Sequence, residues 1–134
     1  MAVTTATGQG VNTLKADNDE TTLQIALVLF TISGTYAQAS NSQLLGVDAL
    51  IQNSRRNGKT VTLKDAMLFQ PAFDTATPGL LLGAKTIAIS GSDITFELTE
   101  GATANTLDLA TEFADATAIP AMTPMGFAVS FVES

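Results

Sequence analysis

The chain contains no cysteine, no histidine and no tryptophan in its 134 residues. Without cysteine there is no disulfide framework, no thiolate metal site and no cysteine nucleophile. Without histidine the commonest general base and the commonest metal ligand are both missing. Charge is scarce: 14% of the residues are charged, where an ordinary globular domain has about 25%. Only six of them are basic, and the net charge is −7. That balance argues against broad electrostatic binding of nucleic acid or of an anionic membrane. The longest apolar run falls short of the roughly 20 residues needed to span a bilayer. The first ten residues, MAVTTATGQG, have neither the basic nor the apolar region of a signal peptide, so the expectation is synthesis in the cytoplasm without export by that route.

What is present is an apolar fraction of 46% with much alanine and threonine, enough for one domain with one core. A chain of this length buries about two-thirds of its unfolded surface and needs no metal or disulfide to hold it. Depletion of charge is also the compositional mark of interface cores, so a surface made of alanine and threonine is expected to face other proteins.

The chain is organised around residues 21–36, TTLQIALVLFTISGTY. Odd positions give Leu23, Ile25, Leu27 and Leu29; even positions give Ala26, Val28, Phe30 and Ile32. Both faces of a two-residue repeat are apolar, which predicts a central strand covered on both sides, with Gly34 marking a bend or bulge.

Residues 1–20 are polar and show no sustained period, and they read as an extended arm, with one short strand conceivable at residues 11–14. Asp17, Asn18, Asp19 and Glu20 invite a calcium reading but lack the glycine and distal glutamate of an EF-hand loop. Val47, Leu50, Ile51 and Ser54 follow helical spacing, with Asp48 in the first turn, Arg55 and Arg56 in the last, and Asn57-Gly58 as a stop. One short α-helix is expected at about residues 47–57, its start blurred by Gly46.

A strand then runs from residue 59 towards Phe69 and ends at Pro71, and residues 72–83 read as a loop. Residues 86–90 and 94–99 alternate on either side of Gly91-Ser92-Asp93, which predicts a β-hairpin with Thr95, Glu97 and Thr99 on a wet face. Residues 101–124 look irregular, with a short helix conceivable near residues 107–114. Residues 126–132 form a last strand with Phe127, Val129 and Phe131 inward.

Chemistry is thinly represented. No nucleophile-elbow, P-loop, dinucleotide-binding or zinc-protease signature occurs. The carboxylate pairs Glu97/Glu100 and Asp108/Glu112 lack the facing-cleft context of glycoside hydrolysis. The expectation is no enzyme, no cofactor and no metal. Arg55, Arg56 and Lys59 form the only basic cluster; they either complement the helix dipole and aid solubility or dock an acidic partner surface.

Gly34-Thr35-Tyr36 ending a long strand, the stretch ALIQNSRRNGKTVTL, Gln70-Pro71, the hairpin AKTIAISGSDITFELT and the terminal GFAVSFV together resemble the small head decoration, or cement, proteins of tailed bacteriophages. The resemblance covers most of residues 21–132. It implies a jelly-roll-like β-sandwich that clusters as trimers on the outside of an icosahedral shell, bound to the major capsid protein, and so located on the phage head.

The expected fold is therefore an antiparallel β-sandwich of six to eight strands with one short helix, residues 1–20 forming an arm and residues 21–134 the domain. A homotrimer is favoured, then a dimer. The expected contacts are Arg55, Arg56 and Lys59 together with Thr4, Thr5 and Val11 of the arm, adding backbone hydrogen bonds to a neighbouring sheet edge. Other structural parts of the virion (tail tube, head–tail joint, fibre base) are the second reading, and a small-ligand-binding β domain the third.

Overall fold

Alternation of inward and outward side chains builds two antiparallel sheets. The computed structural model describes residues 4–14, 23–38, 42–55, 59–101 and 106–134, with the backbone alone described for residues 4–14, 42 and 53–55. The elements are β1 (Thr4–Leu14), β2 (Gln24–Gly34), β3 (Ser42–Leu44), α1 (Val47–Arg55), β4 (Val61–Gln70), β5 (Ala72–Phe73), β6 (Leu81–Ser90), β7 (Asp93–Glu100) and β8 (Met125–Glu133). One sheet has the order β1-β2-β8-β4, the other β3-β7-β6-β5. From β2 to β5 the chain changes sheet at every step, and β8 returns to lie between β2 and β4. The fold is an antiparallel β-sandwich with one short helix.

The core comes from the inward rows. Ala26, Val28, Phe30 and Ile32 of β2 and Phe127, Val129 and Phe131 of β8 are buried against Ile94, Phe96 and Leu98 of β7. Phe127 lies at its centre, its ring 5.9 Å from that of Phe96 across the sandwich and 6.5 Å from that of Phe30 on the neighbouring strand. α1 touches β1, β4 and β7, crossing one end of the sandwich with Val47 and Ile51 buried. Its first N–H groups are capped from another element: the Ser92 carbonyl accepts the Val47 N–H at 2.9 Å, and Asp48 accepts the Ser92 hydroxyl at 2.7 Å.

Besides a register shift in β1 between Gly8 and Gly10, extra residues in β4 and β6 decide which face those strands present. In β4, Lys64 and Phe69 interrupt the pairing with β8, so that Val61 and Leu63 point inward before the first bulge and Ala66 and Leu68 after it. In β6, the pairing with β7 slips between Lys85 and Ala88, with Thr86 at a φ of 53°. Leu82 and Ala84 are inward before this bulge, and Ile87 and Ile89 pack on the core after it. The bulges at Lys64 and Thr86 each exchange the inward parity of their strand.

Several details depart from the expectations. Residues 4–14 are extended as expected but lie along β2 as the edge strand of the same sheet, from Thr4 opposite Gly34 to Leu14 opposite Ile25. Residues 72–83 are not all loop, since they include β5 and the start of β6. Thr99 is buried, not wet. Residues 107–114 are not helical but belong to an extended strap. Leu107 and Leu109 lie over Gly83, the Phe113 N–H reaches the Leu98 carbonyl at 2.8 Å, and residues 116–119 bond back to residues 34–36.

The open face of the first sheet

The outward row of β2 is where the structure and the two-sided reading of residues 21–36 part company. β2 is central, between β1 and β8, and its even side is buried as expected. Its odd side faces out of the sandwich: Leu23 is 53% exposed and Ile25 42%, with Leu27 and Leu29 half-buried. No described element of the chain covers that face.

The register extends this apolar row across the sheet. Ile25 stands opposite Ser130 and Leu27 opposite Ala128 on β8, and Asp65 and Met67 of β4 stand opposite the same two residues from the other side. Met67 is 62% exposed and Phe69, thrust out at the bulge, 60%. Large side chains on β2 and β4 thus flank small ones on β8. The result is a shallow socket with Ile25 and Met67 as walls, Ala128 and Ser130 as floor, and Asp65, opposite Ser130, in its lining. Leu29 closes one end, its Cδ2 reaching over Gly126, where a Cβ would meet it at 3.2 Å. At the other end Asp65 holds the Ala66 N–H at 2.8 Å, and both Lys64 and Asp65 are exposed, so that the rim there is polar.

Such a face removes apolar area from water when something packs on it, at about 25 cal/mol per Å². The socket is shallow, whereas small-ligand sites enclose most of their ligand. A metal has no obvious seat either: among the described residues no group of three or more acidic side chains is placed to hold one.

The expected contact residues are dispersed around this face. Thr4, Thr5 and Val11 occupy edge strand β1, opposite Gly34, Ser33 and Val28 of the same chain. Arg55 is the last residue of α1, and Arg56 lies outside the described residues. Lys59 precedes β4 and lines a separate hollow with Asp48 and Gln52. The acidic group at residues 17–20 also lies outside the described residues.

Two buried polar pairs join distant parts of the chain. Tyr36 Oη donates to Glu112 Oε2 at 2.5 Å and accepts the Leu98 N–H at 3.0 Å. Burial, and then the bond to Glu112, push this phenol well above its ordinary pKa. Gln24 Nε2 donates to the buried Glu133 at 2.7 Å. The first pair has a structural task, since it ties the strap over residues 106–119 to Tyr36.

Met67 and Phe69 were legible as strand residues but not as exposed ones, because Met67 is turned outward by the bulge at Lys64 and Phe69 is the extra residue of the second bulge. The one usable signal was the apolar odd side of residues 21–36. No family model, curated protein or solved structure matches the chain.

Proposed function

We propose that the chain is a structural subunit that works by packing the open face of its β1-β2-β8-β4 sheet against protein, and that its setting is the head of a tailed bacteriophage, where it decorates the exterior of the shell formed by the major capsid protein. The observation that carries this reading is the exposed row Leu23, Ile25, Met67 and Phe69 on one sheet face. These side chains are about half exposed, so covering the remainder of each is worth on the order of 1 kcal/mol. The sequence resemblance supplies the viral setting, and the low charge of the chain agrees with a life in contact with neighbours.

The free edge of β4 speaks for face packing over strand addition. Two bulges, an exposed Lys64 and the following Pro71 break up its row of backbone groups, as expected of an edge protected against pairing.

The test is to add purified protein to shells that lack it and to image the particles by cryo-electron microscopy. Copies in a regular array on the shell, and a higher temperature of shell disruption, are expected; Ile25→Glu with Met67→Glu should abolish both. Copies confined to the tail would overturn the head assignment. Full decoration by the double variant would overturn the role of the face.

A further inference from the structure

With no cysteine, histidine or tryptophan, the oxidisable side chains of this protein are one tyrosine and four methionines. Tyr36 is buried, and Met122 and Met125 are 7% and 0% exposed in the core, whereas Met67 is 62% exposed on the open face. Met1 lies outside the described residues. We propose that Met67 is an oxidation site: a peroxide converts its thioether to the sulfoxide while the core methionines stay reduced, and the change puts a polar group into the apolar wall of the socket. The site rests on exposure; its effect on docking rests on the reading of the face as a protein interface.

The step needs only the thioether and the oxidant. A sulfur lone pair attacks one oxygen of hydrogen peroxide, and the S–O bond forms as the O–O bond breaks. The other oxygen takes up the hydroxyl proton and leaves as water. Sulfur gives up two electrons and the peroxide accepts them. No thiolate in the chain competes for the oxidant.

The surroundings fix both the exposure of Met67 and the consequence of its oxidation. Ala66 and Leu68 on either side pack on the core, so the side chain between them is held outward. Opposite it on β8 stands Ala128, too short to cover it. The sulfoxide oxygen is a strong acceptor, and the side chains lining the socket leave it no donor. Asp65 offers a carboxylate, itself an acceptor, and the Ser130 hydroxyl already donates to the Asp65 carbonyl at 3.4 Å. The oxidised side chain therefore stays hydrated, and an apolar surface that displaced this water would leave a buried acceptor unpaired. The core is untouched, because the new oxygen points away from it. The switch acts on the free chain, since a partner covering the face shields Met67, and it is reversible by methionine sulfoxide reductases.

The test exposes the intact folded chain to hydrogen peroxide, followed by quenching, tryptic digestion and mass spectrometry. Cleavage after Lys64 and Lys85 places Met67 in the peptide of residues 65–85, apart from Met1 in residues 1–15 and from Met122 and Met125 in residues 86–134. The peptide of residues 65–85 should gain one oxygen at least about tenfold faster than that of residues 86–134. Far-ultraviolet circular dichroism should not change, and the oxidised chain should elute earlier from a phenyl matrix, an effect that methionine sulfoxide reductases reverse. In Met67→Leu the same treatment should leave elution where it is for the untreated variant, which separates Met67 from Met1. Equal rates in the two peptides, or an elution shift that persists in Met67→Leu, overturns the proposal. On shells the oxidised chain should bind about tenfold or more weakly. Undiminished decoration by the oxidised chain, where Ile25→Glu with Met67→Glu does not decorate, overturns the effect on docking. Decoration by both overturns the reading of the face itself, and selective oxidation in the peptides then still upholds the site.

Discussion

Replacing Tyr36 by phenylalanine removes one oxygen and tests how the strap is held. The hydroxyl donates to Glu112 at 2.5 Å and accepts the Leu98 N–H at 3.0 Å, with the side chain buried. The ring itself, edge-on to Phe113 at 5.8 Å, is kept. A hydrogen bond to a charged group is worth about 1.5–3 kcal/mol, and a buried N–H left without an acceptor costs about 1–3 kcal/mol. The two overlap, so Tyr36→Phe should cost about 2–4 kcal/mol, a large share of the 5–15 kcal/mol typical of a domain. Scanning calorimetry should show a fall in Tm of roughly 10 °C. A double-mutant cycle with Glu112→Gln should return a coupling of about 1 kcal/mol or more. Alkaline titration gives a second readout, because Tyr36 is the only tyrosine. Its pKa is raised by burial and then by Glu112, so its contribution is whole below the unfolded value of about 10. That contribution is lost as pH rises beyond that value, and phenolate absorbance should appear only with unfolding. A loss below about 0.5 kcal/mol, which is the scatter of surface substitutions, together with ionisation near pH 10 in the folded chain, would refute the reasoning.

Thr86 holds a φ of 53° at the β6 bulge, costly for a β-branched residue by about 1–2 kcal/mol. Thr86→Asn should raise Tm by a few degrees, whereas deleting Thr86 should prevent folding by turning Ile87 and Ile89 outward. Removing residues 2–14 strips β2 of one of its two neighbouring strands and bares an apolar edge, so aggregation in light scattering is expected, not a soluble truncated domain. Asp108 accepts the Ala110 and Thr111 N–H groups and the Thr111 hydroxyl; the Ala110 bond first, then the hydroxyl, lower its pKa. Its stabilisation is present above the ordinary carboxylate value of about 3.9 and is lost as pH falls through the lower folded value. The Tm difference between wild type and Asp108→Ala should therefore shrink between pH 5 and pH 2.

The strands and the helix were legible because their signals are local. The even side of β2, the alternation of β8, the Gly91-Ser92 turn and the helical spacing of Val47 and Ile51 all lie within a few residues of each other. The bulges were not, because a single extra residue such as Lys64 or Phe69 leaves no mark on composition and yet reverses a strand's facing. Nor was the strap. Its anchor joins Tyr36 to Glu112, 76 positions away, and Leu107 and Leu109 find their place only because Gly83 leaves space beneath them. The start of β6 was hidden by Pro78-Gly79 and by Gly83, which read as loop residues although the strap lies on Gly83.

The outer sides of the two sheets are finished differently. Both need an apolar inner side, and both have one. On the outer side of the second sheet the chain supplies its own cover: Leu107 and Leu109 lie over Gly83, and the Lys85 ammonium reaches the Ala110 carbonyl at 3.0 Å. Farther along, that outer side turns polar, with Thr95 and Glu97. On the first sheet no described residue supplies such a cover, and polar side chains on that outer side, such as Asp65 and Ser130, stand beside apolar ones. Its outer side carries Ile25, Leu27, Leu29, Met67 and Phe69 at positions where threonine, lysine or glutamate would let the strands pair equally well. Folding of this chain asks for nothing apolar there. Under the proposed function, contact with another protein surface does, and the substitutions at Ile25 and Met67 interrogate that contact.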